Sequence, residues 1–388
     1  MTTLAPSAAS LLQSVRDLRP LIEAEAEQIE HDHRITPKVI AALQEAGVYR
    51  MIVPRAYGGS QLTLIEFSEV MEELAKADAS TAWTVGQNSG IGRIAAYLPP
   101  EGAREIFGEP DVIVSWGNGP GTAHRVHGGY VVSLQATYSS GMHHAKWLGF
   151  QDCDTYDAAG NLVLTKHGEK LRGTCFFRPA EAEIREIWQV SGLKGTGTDC
   201  YSVTNLFIPE HRFILEEPVI ADPLYLYNTT NIFAVGFSSV ALGLARATLD
   251  ALVDITGSKS PRGIAGPMRD QRPIQAKIGV AEATLRSARA LLHEVVAEGW
   301  QRVSENRALD MHTRVNLRMA TTFAMQRATE VVDVAYKQAG IDAIFEKNAF
   351  ERRFRDMHAM AQHIQARDDH FEKVGQFLMG LEPDRGWL

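Results

Sequence analysis

A chain of 388 residues is long enough for two or three domains with sizeable cores. Its composition is 45% hydrophobic and 22% charged, as in ordinary globular proteins, and a net charge of −8 argues against a general nucleic-acid binder. No apolar run approaches the ~18 residues of a membrane helix, and the N-terminus lacks the basic and apolar regions of a secretory signal.

Residues 7 to 108 read as helices. Leu11, Leu12, Val15, Leu18, Leu21 and Ile22 keep a helical period, and a second helix starts at Thr36-Pro37 and ends at Ala46-Gly47. Tyr49 to Gly59 reads as an extended link closed by a Gly-Gly turn. Leu64 to Ala77 is an amphipathic helix. The next helical stretch, TAWTVGQNSGIGRIAAY, holds Gly86, Ser89, Gly90 and Gly92, which allow either close helix packing or room for a ligand. From Asp111 to Phe213 the chain turns rich in Val, Thr, Tyr, Phe and Gly. Period-2 runs such as YVVSLQATY, NLVLTK and TCFFRP predict short antiparallel strands in a β-barrel or sandwich. From Tyr225 helices return: Phe233 to Thr256, Ile274 to Glu298, Leu309 to Ala339 and Ala349 to Gly380 predict a four-helix bundle. The fold class is therefore α+β, mainly α. A helical region (1–110) is followed by a β domain (111–215) and a bundle (225–388). Three widely spaced cysteines, Cys153, Cys175 and Cys200, suit a reducing cytoplasm and offer neither a disulfide framework nor a zinc site.

No GxGxxG opens a helix, and GxxxxGK[ST], GxSxG and HExxH are absent, so nucleotide-loop, hydrolase and zinc-peptidase chemistries have little support. Three polar stretches remain. YSSGMHHAKW (Tyr138 to Trp147) ends a strand with two hydroxyls and a glycine; the glycine permits close approach to a flat ligand and the serines can bond its edge. SWGNGPGTAH (Ser115 to His124) reads as a glycine-rich loop carrying Trp116, Asn118 and His124. ERRFRDMHAMAQHIQARDDH (Glu351 to His370) lies in the last long helix. There Arg352, Asp356, His363 and His370 fall on one stripe, which needs either a salt-bridge network or a ligand as partner.

Together these stretches resemble the acyl-CoA dehydrogenase superfamily over almost the whole chain. The strings AGVYRMIVPRAYGG, GLKGTGTDCYSVTNLFIPEHR and FRDMHAMAQH carry the resemblance, the second being the most specific. Dehydrogenases of the superfamily use a glutamate base and often show a YEGT-like string after the RD of the last helices; here His363 follows instead. That placement, with YSSGMHHAKW, is similar to the branch of flavin-dependent two-component monooxygenases, which hydroxylate aromatic or polycyclic substrates through a flavin C4a-hydroperoxide. An acyl-CoA dehydrogenase desaturating a thioester is the alternative. The resemblance implies reduced FMN or FAD supplied by an NAD(P)H:flavin reductase, O2 as co-substrate, a small aromatic substrate, a homotetramer in the cytoplasm, and no nucleic acid or membrane as partner. It assigns His363 to the oxygen or phenol and Ser140 to flavin N5. Ser139, Gly197, Thr198, Trp116 and Asn118 would flank the flavin, and Arg262, Arg269 and Gln275 would meet its phosphate from a neighbouring subunit. Asn88, Ser89, His124 and Tyr138 would line the substrate. Asp356 with Arg352 or Arg355 is expected to form ion pairs at a subunit contact. Relatives often carry a histidine where Gln87-Asn88-Ser89-Gly90 stands, and a glycine and a tryptophan before SSG, so the substrate wall here is expected to differ.

Overall fold

The computed structural model describes residues 5–165, 168–215, 218–263, 265–386 and 388. The N-terminal region holds α1 (Ala8–Asp32), α2 (Pro37–Glu45), α3 (Leu64–Ala75), α4 (Ala79–Ile91) and α5 (Pro100–Phe107). Ser7 caps α1 by accepting from Ser10 N, and Leu11, Val15, Ile22, Ala26 and Ile29 form its buried stripe. Pro37 opens α2, where its missing N–H costs nothing. Thr63 and Glu66 form a reciprocal capping box on α3. The expected extended link at Tyr49–Gly59 is instead two 3-10 turns, Val48–Arg50 and Arg55–Tyr57. Arg50 causes this: its guanidinium donates to the carbonyls of Tyr57, Gly58, Phe107 and Glu109, drawing the chain around it.

The β region is one eight-stranded sheet of β1 (Val114–Gly117), β2 (Gly121–Val126), β3 (Gly129–Ser139), β4 (Trp147–Tyr156), β5 (Arg172–Phe177), β6 (Glu183–Arg185), β7 (Asp199–Pro209) and β8 (Phe213–Ile214). The path runs β6-β7-β3-β2-β4-β5-β8, with β1 also on β4; among the described residues no ladder joins β6 to β8. The stretch Ser115–His124, expected as a loop, is mostly strand. β1 and β2 both run parallel to β4, at Val114↔Trp147 and Thr122↔Asp154, as two halves of one line broken at Asn118 to Pro120. These pairings also depart from the expected all-antiparallel sheet. Tyr130, Val132, Leu134, Phe150, Phe177 and Tyr201 form the core of the sheet's inner side.

The C-terminal helices are α6 (Pro223–Leu226), α7 (Thr229–Ile255), α8 (Arg272–Asn306), α9 (Met311–Ala339), α10 (Ala349–Ala361) and α11 (His370–Leu378). α7 is long and apolar enough to cross a membrane, with a mean hydropathy of 1.6, contrary to the sequence expectation; yet 89% of that window is buried among the other helices, as in a core helix. The fourth helix of the bundle, expected as one run from Ala349 to Gly380, breaks after Ala361 and resumes at His370.

Candidate active site

α4 is the element from which the site is assembled. Asp78 caps it, accepting from Thr81 N at 2.7 Å, and every one of its residues is buried. Its glycines Gly86 and Gly90 serve helix packing, not ligand space. A Cβ on Gly90 would lie 2.6 Å from the Phe233 ring of α7, and one on Gly86 would lie 3.1 Å from Met71 of α3. Thr84 and Asn88, one turn apart, face the turn after β3. A Cβ on Gly141 would lie 2.5 Å from Thr84 Cγ2 and 2.6 Å from Asn88 Oδ1, and Gly141 takes φ +73°. The glycine of the SSG string is thus required by its own protein neighbours rather than by a flat ligand.

That turn is held by hydrogen bonds from three directions. The Ser140 carbonyl accepts from Asn88 Nδ2 at 3.2 Å and from Ser115 Oγ at 2.9 Å. Ser139 Oγ meets Ser115 Oγ at 3.1 Å. Gly141 N donates to Thr196 O at 2.9 Å, and Ser140 Oγ lies 2.7 Å from Thr198 Oγ1. His143 Nε2 lies 2.7 Å from Asp199 Oδ2, while the other Asp199 oxygen accepts from the N–H groups of Ile187 and Trp188. Burial raises the Asp199 pKa, but the bonds from His143 and the two backbone N–H groups outweigh it and hold the carboxyl below its usual range. Burial, with the neighbouring His143 and Arg34, lowers His144 to about 4.

His363 meets the adjoining face of α4, which carries Trp83. It follows α10 in extended conformation, and its Nδ1 accepts from Gln365 N at 3.3 Å, capping the 3-10 turn Ile364–Ala366. Its ring stands edge-on to Trp83 and to Phe237, each at 5.1 Å, and these two stack on each other at 3.8 Å. The aromatic series continues through Phe233 to Trp116. Burial, with the Arg318 charge, lowers His363 to about 4. The imidazole is therefore neutral at pH 7. Because Nδ1 accepts a backbone N–H, the proton sits on Nε2, and the free nitrogen is a donor.

The break undoes the expected stripe of Arg352, Asp356, His363 and His370. Asp356 makes no pair with Arg355; its Oδ1 accepts from Leu193 N at 2.6 Å. Arg355 reaches Glu30 of α1 at 2.5 Å and Ser191 O at 2.7 Å, so both residues join parts of one chain. His370 is buried against Thr322 Oγ1 at 2.9 Å, and His358 pairs with Asp333 at 2.8 Å near the surface.

Of the expected site residues, the structure brings Ser139, Ser140, Gly197, Thr198, Asn88 and Trp116 around α4. Asn88 acts on the Ser140 turn, and its Oδ1, like Ser89 Oγ and Thr84 Oγ1, is buried without a hydrogen-bond partner among the described residues. Gly197, at φ +49°, is packed by His33 O and His143. Asn118 is exposed and bonded to Gln151, and His124 is exposed and stacked on Tyr156 at 4.5 Å; neither reaches the site. Tyr138 lies in a β3 bulge at φ +58°, its side chain turned out to 69% exposure. Arg262, Arg269 and Gln275 are exposed beyond the end of α7. Phe237 to Ile255 is 18 residues, about 27 Å of helix, so within one chain they do not join the site. Trp83, Phe237, Ser115 and Thr196 escaped the sequence reading. Trp83 was detectable as one large ring among small residues, whereas Phe237 looks like any core position of α7.

The flavin implied by the resemblance fits the ring end of this site. A flat aromatic wall, a neutral imidazole donor and hydroxyls at Ser140 and Thr198 suit an isoalloxazine, and the unpartnered atoms of Thr84, Asn88 and Ser89 leave polar capacity for a ligand.

Comparison with known proteins places the whole chain. The N-terminal domain of the acyl-CoA dehydrogenase family matches residues 8–103 and its C-terminal domain matches residues 235–368. The indole-3-acetate monooxygenase of Pseudomonas putida is 28% identical over 99% of this chain and 96% of its own length. The oxygenase component of p-hydroxyphenylacetate 3-hydroxylase from Acinetobacter baumannii is 26% identical over 97% and 91%. Among solved structures, XiaF from Streptomyces sp., in complex with FADH2 and glycerol, has a TM-score of 0.89 at 22% identity, covering 97% of this chain and 96% of that one; at such identity the likeness concerns the fold. With both terminal domains matched and the same three-part architecture throughout, the chain belongs to the acyl-CoA dehydrogenase family.

Proposed function

We propose that the chain is the oxygenase component of a two-component flavin-dependent monooxygenase that hydroxylates an aromatic ring. The observation that carries this reading is His363: a half-buried, neutral imidazole with a donor Nε2–H, set among aromatic rings where a dehydrogenase needs a carboxylate base. When bound, reduced flavin supplies the electrons that activate O2 for insertion of one oxygen atom. Ser140 and Thr198 would hold the flavin by hydrogen bonds, Trp83 and Phe237 would exclude water beside it, and His363 Nε2–H would donate to oxygen. The neutral imidazole is not set up to take a phenol proton, since its one lone pair already accepts from Gln365 N.

On this reading the flavin is reduced FMN or FAD, delivered by an NAD(P)H:flavin reductase. Arg262, Arg269 and Gln275 of a second copy bind its phosphate in a tetramer, which is why they stand exposed in one chain. Three buried free thiols, Cys153, Cys175 and Cys200, suit the cytoplasm. Relatives that act on indole-3-acetate and p-hydroxyphenylacetate point to a bicyclic or monocyclic aromatic substrate. The test mixes the protein with a generic flavin reductase, NADH, O2 and a panel of indoles, phenols and thiophenes, reading hydroxylated product and H2O2. Product from at least one ring is expected. A flavin that is tightly bound as purified and bleached by an acyl-CoA without O2 would overturn the reading in favour of a dehydrogenase.

A further inference from the structure

Behind Ser140 runs a line of hydroxyls whose direction can be worked out. Ser140 Oγ lies 2.7 Å from Thr198 Oγ1, which lies 2.6 Å from Thr196 Oγ1, which lies 2.8 Å from Leu193 O. Each hydroxyl owns one proton, and a backbone carbonyl can only accept. Thr196 must therefore donate to Leu193 O. Its proton being used, Thr196 accepts from Thr198, and Thr198 in turn accepts from Ser140. The Ser140 proton is spent inside the protein, and Ser140 Oγ has only lone pairs left to offer. All three residues are buried, so water does not compete to reverse the order. The same logic orients a second line, Ser139 to Ser115 to Ser140 O, which with Asn88 Nδ2 fixes the carbonyl of the same turn.

We propose that Thr196, acting through Thr198, is a positioning residue that holds Ser140 Oγ as an acceptor and so makes the site select a ligand presenting N–H at that point. This rests on the proposed function, in which Ser140 meets flavin N5. The reduced isoalloxazine carries a hydrogen on N5; the oxidised ring carries only a lone pair there, which would face the lone pairs of Ser140. The hydroxyl line thus discriminates between redox states of one cofactor through a hydrogen-bond direction set three residues away from the ligand.

The experiment measures dissociation constants of reduced flavin (anaerobically) and oxidised flavin, FMN and FAD each, for the native protein, Thr196→Val, Thr196→Ser and Thr198→Val. The native protein is expected to prefer reduced flavin. In Thr196→Val, Thr198 is free to donate to Ser140, Ser140 regains a usable proton, and oxidised flavin tightens. The preference falls about tenfold, the scale of one buried hydrogen bond. Thr196→Ser keeps the hydroxyl and restores it. Thr198→Val cuts the line one step nearer and shifts the preference the same way, so it carries the test if Thr196→Val does not fold. An unchanged preference in a folded valine variant, including an equal loss of both affinities, overturns the role of Thr196 while leaving the function standing. A native protein that binds flavin in neither state overturns the function and the inference together.

Discussion

The turn at Ser140 and the break at His363 both lean on α4, yet different forces hold them. Around Ser140 the contacts are hydrogen bonds between close partners: Asn88, Ser115, Thr196 and Thr198, with the His143–Asp199 pair locking the outer side. Around His363 the contacts are ring faces and edges, Trp83 and Phe237, with one weak backbone bond to fix the tautomer. The polar side sets directions, because hydrogen bonds weaken steeply when misaligned. The aromatic side sets a dielectric, because burial keeps the imidazole neutral without a charged partner of opposite sign. Asp356 joins the two: it lies within α10, seven residues before His363, and its Oδ1 accepts from Leu193 N, at the root of the hydroxyl line.

Three changes sharpen this contrast, taken from the largest effect to the smallest. His363→Ala is expected to keep the fold and lose about 10² to 10⁴ of product formation, the scale of one proton-transfer or donor group, while H2O2 release rises. Because burial and Arg318 lower His363 to about 4, product yield should show no limb from this group between about pH 6 and 8. Product per O2 equal to that of the native protein would remove His363 from the mechanism.

Gly141→Ala attacks the polar side. It places a Cβ 2.5 Å from Thr84 Cγ2 on a backbone at φ +73°, so a loss of about 2 kcal/mol in stability is expected, with weaker flavin binding. An unaltered urea midpoint would mean that the turn yields more easily than its packing implies.

Asp356→Asn tests the link. Burial first, and then repulsion from Asp78, raise Asp356 to about 7, against the opposing bond from Leu193 N. Between about pH 4, where the unfolded carboxyl ionises, and about 7, the folded protein keeps a proton that the unfolded chain has lost. Stability is therefore fullest below that window and declines as pH rises through it. Asparagine does not titrate, so the decline between pH 5 and 8 should flatten in urea unfolding; an identical slope would place the titration elsewhere.

Much of this site could be read from residues in order. The SSG turn, the GLKGTGT loop and His363 lie in short strings whose glycines and hydroxyls serve local geometry. Caps at Ser7, Thr63 and Asp78 are likewise local chemistry, and so are the helix starts they mark. The path from Ser115 to His124 was less accessible: glycines and a proline disguise two strands that exist because β4 offers them a parallel edge. Arg262, Arg269 and Gln275 stand about 27 Å along α7 from the site, and no pattern in one chain says what faces them.

The sequence alone determined the order of helical, β and helical regions, since periodicity and caps act between near neighbours. It also determined the chemical groups available to the site. Tertiary structure alone decided what those groups do. The helical pattern runs without proline or glycine from Ala349 to Val374, yet the helix stops at Ala361. It stops because Arg318 and Thr322 of α9 bond Gln365 and His370, satisfying the backbone and side chains that the break would otherwise strand. Those long-range partners turn His363 from one more residue on a polar stripe into a neutral donor facing Trp83.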